Sequence, residues 1–310
     1  MIFRNYLPAY ELNHSPRIIA AFEMDFLRNL NAFAKSLGTG EKFTVLLQLG
    51  WSAEVPEVVE EIKLRLAEAH ELFPEGRIIF LANASEEVGI LHEFAEVYLA
   101  QHNAFLDPAR YPLAKKEVRK FDAIYIARIT PFKRHELAEK VSKLHLIGSY
   151  SEPEREYFKQ TISKFSHAVW SRKIPSFFIG SKITEAACGL ALSAVEGAMF
   201  ACGEYTLCGI PVVNTRNLGG RDTLLPDFAV RTVEADADKV AEAVSYWVDN
   251  PIEPEAIREA FLKLAFPQKA KIQDLLNSIA GKKVFLPHKL NIRCRLLPHQ
   301  KILHGIRRTE

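Results

Sequence analysis

Short apolar runs alternate with amphipathic stretches along most of this chain, and that alternation restricts the fold more than any other feature. Residues 43–49 (FTVLLQL) read as a buried strand. In residues 54–72 the apolar side chains Val58, Val59, Ile62, Leu66 and Ala69 fall on one helical face. Residues 77–81 read as a second strand, 85–94 as a helix with Ser85 as its N-cap, and 96–100 as a third strand. Strand–helix–strand alternation implies parallel strands joined by crossover helices. Residues 103–120 break the pattern with Pro108, Pro112 and a run of charges, and mark a linker. A second series follows. Strands are expected at 123–128, 144–147 and 168–170, and helices at 134–142 and 152–165. A helix over 181–190 leads into an unusual apolar segment, followed by strands at 211–214 and 229–233 and a helix at 237–248. Asn250-Pro251 ends that helix, and the next starts at Pro254.

Two series of similar size predict an α/β protein with two open parallel sheets: a short first domain at 1–118, a second at 119–275, and a basic tail at 276–310. Open parallel sheets take ligands at the carboxyl ends of their strands. Two such domains facing each other form a cleft suited to a two-part ligand. Neither first strand is followed by GxGxxG, which disfavours a dinucleotide dehydrogenase.

Composition narrows the partners. The net charge of +2 gives no global case for nucleic acid. Of the four cysteines, Cys188, Cys202 and Cys208 sit in an apolar stretch where a buried free thiol is the default, and Cys294 lies in the tail. No CxxC spacing argues for metal, so a reducing compartment is expected. With no signal-peptide pattern and no membrane-spanning run, the expectation is a cytoplasmic protein. From Leu275 to Thr309 there is no Asp or Glu, while Lys282, Lys283, Lys289, Arg293, Arg295, Lys301, Arg307 and Arg308 accumulate. That asymmetry suits peripheral contact with the inner membrane face, a plain solvated tail, or a segment packed on an acidic part of the same chain such as the first domain.

The segment 186–215 (AACGLALSAVEGAMFACGEYTLCGIPVVNT) carries only two charges, Glu196 and Glu204. Carboxylates in apolar context are costly unless paired or hydrogen-bonded. With a helix starting near Gly197–Ala198, eight residues of α-helical rise set the two roughly 12 Å apart. A helix N-terminus between them is an anion site, and Gly197 and Ala198 are small enough for phosphate to approach the backbone. This geometry suits a nucleotide sugar. The same residues also allow Glu196 as a helix cap with Glu204 on a solvated face. A glycosidase pair fits poorly, since its carboxylates sit about 5–10 Å apart. Arg128 and Lys133 follow the first strand of the second series, where two cations can neutralise a diphosphate; ordinary surface charge at a helix start is the plain alternative. Gly219-Gly220-Arg221-Asp222 reads as a loop over the ligand or a simple turn. Asp236-Ala-Asp238 reads as an N-cap rather than a metal motif.

Arg-x4-Lys after a strand, two Glu separated by seven residues, Gly-Ile-Pro-Val-Val and Gly219-Gly220, in that order, resemble the C-terminal domain of GT-B-fold glycosyltransferases, and most closely the retaining family 4 (group 1 glycosyl transferases). The likeness covers about residues 121–248. It implies a GT-B-like fold of two Rossmann-like domains facing a cleft. It implies a hexosyltransferase-type enzyme moving sugar from a nucleoside-diphosphate sugar to an acceptor hydroxyl with retention. The nucleotide sugar would be a co-substrate, with no further cofactor and no metal, and the acceptor a saccharide, a lipid-linked or a small molecule. Arg128 and Lys133 would hold the pyrophosphate, Glu196 the transferred sugar beside the amides of Gly197, Ala198 and Met199, and Glu204 the ribose. Gly219 and Gly220 would line the donor site, and His102 is the candidate for a first-domain histidine near the donor sugar. The first 40 residues lack the family's glycine-rich loop, leaving the acceptor side open. Rival readings are an inactive sugar-nucleotide-binding protein and a GT-B-fold sugar-nucleotide epimerase.

Overall fold

A computed structural model describes residues 7–172 and 174–284. Contacts divide the chain into one unit formed by 7–106 with the segment from 266 onward, and another formed by 107–265. The sequence places these divisions at 118/119 and 275/276. The second falls within the helix Pro254–Ala280, at Ala265/Phe266 beside the internal Pro267.

In the first unit, β1 (Ala9–Asn13), β2 (Arg17–Phe22), β3 (Phe43–Gln48), β4 (Gly76–Ala82) and β5 (Glu96–Leu99) lie in that order. All neighbours are parallel except β1, which is antiparallel to β2. Helices α1 (Glu23–Leu27), α2 (Leu30–Leu37), α3 (Pro56–Leu72) and α4 (Ser85–Leu91) complete it. β3 is buried at every position, as expected of a continuous apolar run covered on both faces. α3 buries Val59, Ile62, Leu66 and Ala69, the face that its spacing defines, with Val58 at its margin. Ser85 is the first helical residue of α4, not its cap. The Glu87 carboxylate instead accepts the Asn83 and Ala84 amides at 2.7 and 3.2 Å, satisfying donors that the helix leaves open. β1, β2, α1 and α2 went unread in the sequence. Their apolar runs are short, and β1 pairs on one side only.

The second unit is a six-stranded, wholly parallel sheet. Its strands are β6 (Phe121–Ile126), β7 (Leu144–Ile147), β8 (Val169–Ser171), β9 (Ala186–Ala191), β10 (Val212–Thr215) and β11 (Val230–Val233). Their spatial order is β11-β10-β9-β6-β7-β8. Its helices are α5 (Arg155–Ser163), α6 (Ile179–Ile183), α7 (Phe200–Leu207) and α8 (Ala237–Asp249), and α9 (Pro254–Ala280) starts in it. Asp236 caps α8, accepting the Asp238 and Lys239 amides at 2.9 and 3.1 Å, which accounts for Asp236-Ala-Asp238.

Two helix expectations fail here. Residues 134–142 form a short 3-10 turn (His135–Ala138) entered through Arg134 in a left-handed conformation, φ 49° and ψ 51°, which an α-helix cannot continue. Residues 186–190 belong to β9. The run AACGLA lacks β-branched residues and reads as helix, but the strand lies between β6 and β10, and at Gly189 α7 leaves no room for a side chain. A Cβ on Gly189 would stand 2.2 Å from the Tyr205 ring. Tyr205 is fully buried, and its hydroxyl accepts the Ile126 amide at 2.9 Å. Gly189→Ala should therefore lower stability by about 1–3 kcal/mol, the cost of overpacking, and thermal unfolding will show it. An unchanged melting temperature would mean that α7 is not seated on β9 in this way.

Candidate active site

The second sheet begins with β6, adds β7 and β8 on one side, then returns to place β9, β10 and β11 on the other. The carboxyl ends of β6 and β9 therefore meet at the topological switch point, the position where open α/β sheets bind ligands. β6 delivers the loop from Ala127 to Arg134, and β9 delivers Leu192 to Met199.

Lys133 and Glu196 come together there. Lys133 Nζ is ion-paired with Glu196 Oε1, and the two side chains are only 8% and 14% exposed. Glu196 Oε2 accepts the Ser193 hydroxyl. The backbone tethers a third loop beside them. Glu196 donates its amide to Leu218 O at 3.0 Å, and Leu218 donates to Ala194 O at 2.9 Å. Gly219 and Gly220 follow directly; Gly219 has φ 110°, a conformation glycine alone adopts easily.

Two further cations lie behind the pair. Arg134 donates Nε to Leu192 O at 2.6 Å and Nη2 to Thr215 Oγ1 at 2.7 Å. Arg221 is 0% exposed. Its Nη1 donates to Ser193 O at 2.8 Å and Ser193 Oγ at 3.0 Å, and its Nη2 to Thr215 O. Burial first and the nearby Arg221 charge second push the Arg134 pKa down. Tyr125 donates its hydroxyl to Lys133 O. Its pKa is raised well above the usual phenol value by burial and by the negative charge of Glu196. Cys202 is buried, and burial pushes its thiol up to about 12, so it offers no nucleophile.

The other expected residues have different surroundings. Arg128 is 58% exposed, 3.8 Å from Glu154, with its guanidinium carbon 5.9 Å from the Phe132 ring centre; Lys133 Nζ is 5.2 Å from that centre. The two cations thus flank Phe132, one facing solvent and one buried. Gly197, Ala198 and Met199 form the loop into α7, which starts at Phe200, three residues later than expected. Glu196 consequently stands outside the helix, and its separation from Glu204 is not set by helical rise. Glu204 is 1% exposed and accepts the Tyr111 hydroxyl at 3.2 Å, so it does not lie on a solvated face. His102 belongs to the first unit. It is buried beside Phe22, and its amide donates to Asn83 Oδ1 at 3.3 Å.

The sequence reading missed Arg134, Ser193, Thr215 and the burial of Arg221. The signals were present but weak: Arg134 adjoins Lys133, Ser193 precedes Glu196 by three residues, and Arg221 follows the paired glycines.

No protein-family model matches the sequence, and no curated protein is similar to it. Solved structures are similar in fold. HepE from Anabaena in complex with UDP aligns at TM-score 0.62 with 14% identity, covering 84% of this chain and 78% of that one. Trehalose-6-phosphate synthase from Burkholderia multivorans aligns at 0.59 with 12% identity, over 83% and 77%. TarM aligns at 0.60 with 14% identity, over 84% of this chain and 53% of its own. At these identities the likeness shows the fold: α/β with two Rossmann-like units, of the GT-B kind.

His135, next to this cluster, is buried, with its ring centre 4.9 Å from that of Tyr125. Burial and then the Lys133 charge depress its pKa to about 4. Its neutral form therefore supports the fold above pH 6.5, and that support is lost as pH falls toward 4. Wild type should lose on the order of 3 kcal/mol more stability than His135→Phe between pH 7 and pH 4, measured by urea unfolding at each pH. Parallel profiles would show that His135 does not stay neutral in the fold.

Proposed function

We propose that this chain is a nucleotide-sugar-dependent glycosyltransferase of the hexosyltransferase type. In this reading it carries a sugar from a nucleoside diphosphate to an acceptor hydroxyl, with retention and without a catalytic metal. One observation carries the reading: Lys133 and Glu196 meet beside Gly219–Gly220 at the switch point of a parallel sheet. The cationic surplus supports it. Lys133, Arg134 and Arg221 gather around Glu196, with Asp222 Oδ1 3.5 Å from Arg221 Nε as the second carboxylate, while His135 is held neutral. The remaining positive charge would attract a diphosphate.

In the proposed reaction the bond from the anomeric carbon to the diphosphate oxygen breaks, and its electron pair leaves with the nucleoside diphosphate. The acceptor oxygen forms the new glycosidic bond and gives its proton to the departing phosphate. Lys133 and the amides leading into α7 take the developing negative charge, and Arg128 lies on the solvent side of Phe132 to close over it. Glu196 accepts from sugar hydroxyls and orients the ring. Glu204 is assigned to the ribose, whose hydroxyl would replace that of Tyr111. Gly219 and Gly220 let the backbone approach the donor. His102 is assigned to the transferred sugar. The acceptor is a saccharide, a lipid-linked or a small molecule. The HepE structures hold UDP, UDP with glucose, and UDP-glucose, so UDP-glucose is the first donor to test.

At a hundred times its dissociation constant, UDP-glucose should add about 2.7 kcal/mol of stability, seen as a shift of a few degrees in melting temperature. Glu196→Gln should lower turnover by about 10- to 100-fold, the worth of one charged hydrogen bond, with the fold intact by circular dichroism. Near-normal sugar transfer in that variant would remove Glu196 from the mechanism. No shift with any of UDP-, GDP- or ADP-sugars would remove the donor reading altogether.

A further inference from the structure

We infer that Arg221 is a positioning residue, which holds the Ser193 hydroxyl on Glu196 and fixes that carboxylate while Lys133 exchanges it for a phosphate. The inference rests on the donor reading above and assigns to that site a residue that does not touch the ligand.

A guanidinium has only donors. Ser193 Oγ, 3.0 Å from Arg221 Nη1, must therefore accept from it. The hydroxyl has a single proton, and because the Glu196 carboxylate, ion-paired with Lys133, only accepts, that proton goes to Glu196 Oε2. Arg221 thereby holds the donor oxygen in place for a bond in which it takes no part. The planar fork makes that hold rigid, because Nη1 is also held by Ser193 O at 2.8 Å while Nη2 is held by Thr215 O. Arg221 is fully buried, and its hydrogen bond to Glu196's partner is the one to Ser193 Oγ.

Glu196 and a phosphate would compete for Lys133. Its ammonium sits on Glu196 Oε1. In the proposed reaction the same ammonium serves a phosphate, and Oε1 is released to accept a sugar hydroxyl. A carboxylate that lost its only fixing partner at that moment would swing on its two-carbon stem. Ser193, locked by Arg221, keeps Oε2 in place, so the charge exchange frees an acceptor without disordering it.

Ser193→Ala removes only the oriented hydroxyl. Arg221→Lys keeps the charge and removes the fork. Each should lower kcat for UDP release from UDP-glucose by about 10- to 100-fold. The dissociation constant of UDP, measured by calorimetry, should move less than about threefold, because UDP does not use Glu196. The double variant Ser193→Ala with Arg221→Lys should be no slower than Arg221→Lys alone, since both changes cut one path. Arg221→Lys sits in the core, so its melting temperature is recorded alongside; Ser193→Ala, a smaller change, carries the test if the lysine variant unfolds. Wild-type kcat in Ser193→Ala, or multiplied losses in the double variant, would overturn the inference and leave the donor reading standing. Failure of wild type to bind UDP or UDP-glucose would overturn the donor reading and this inference with it.

Discussion

Two guanidinium groups converge on one buried threonine, and the geometry of the whole site follows from that contact. Thr215 ends β10. Its hydroxyl accepts from Arg134 and donates to Leu192 O at 3.2 Å, while its carbonyl accepts from Arg221. Arg134 belongs to the loop after β6, Leu192 and Ser193 to the loop after β9, and Arg221 to the loop after β10. Three chain segments that emerge side by side from a parallel sheet are thus joined through charged donors to backbone carbonyls. Charge-assisted bonds of this kind are worth about 1.5–3 kcal/mol each when buried. Arg134 makes these bonds from a left-handed backbone conformation.

Burying positive charge at the edge of an apolar sheet has a cost, and the distribution of partners shows how it is met. Glu196 neutralises Lys133, backbone and hydroxyl oxygens satisfy Arg134 and Arg221, with Asp222 3.5 Å from Arg221, and His135 and Tyr125 are held neutral by burial. Around the switch point, positive charge exceeds negative charge. Such an arrangement is stable as it stands, yet better balanced with an anion present. In the proposed reading, that excess is met by the diphosphate of the donor.

Sheet alternation was legible in the sequence because β3 and β4 are apolar runs buried on both faces and α3 has clean helical spacing. β9 was not legible, because its alanines, cysteine and glycine have little strand propensity, and Gly189 is required by the Tyr205 ring rather than by the strand. Lys133 and Glu196 could be singled out because charges in apolar context are few and demand partners. Their mutual pairing could not be seen, since 63 residues separate them and only the return of β9 beside β6 brings them together. Arg221 looked like a turn residue. Its burial depends on the loops after β9 and β10 closing over it, which no local pattern announces. Cys188, Cys202 and Cys208 are the buried free thiols that their surroundings imply; Cys294 and most of the basic tail lie outside the described residues.

Among the described residues no helix is long and apolar enough to cross a membrane, and the switch point of the second sheet is where the functional claim is concentrated. The most direct measurement is a crystal structure of the chain with UDP-glucose. The account predicts the diphosphate at the carboxyl ends of β6 and β9, with Lys133 Nζ moved from Glu196 Oε1 to a phosphate oxygen and the Ser193–Glu196 hydrogen bond retained. A nucleotide bound elsewhere on the chain, with the Lys133–Glu196 pair intact, would contradict it.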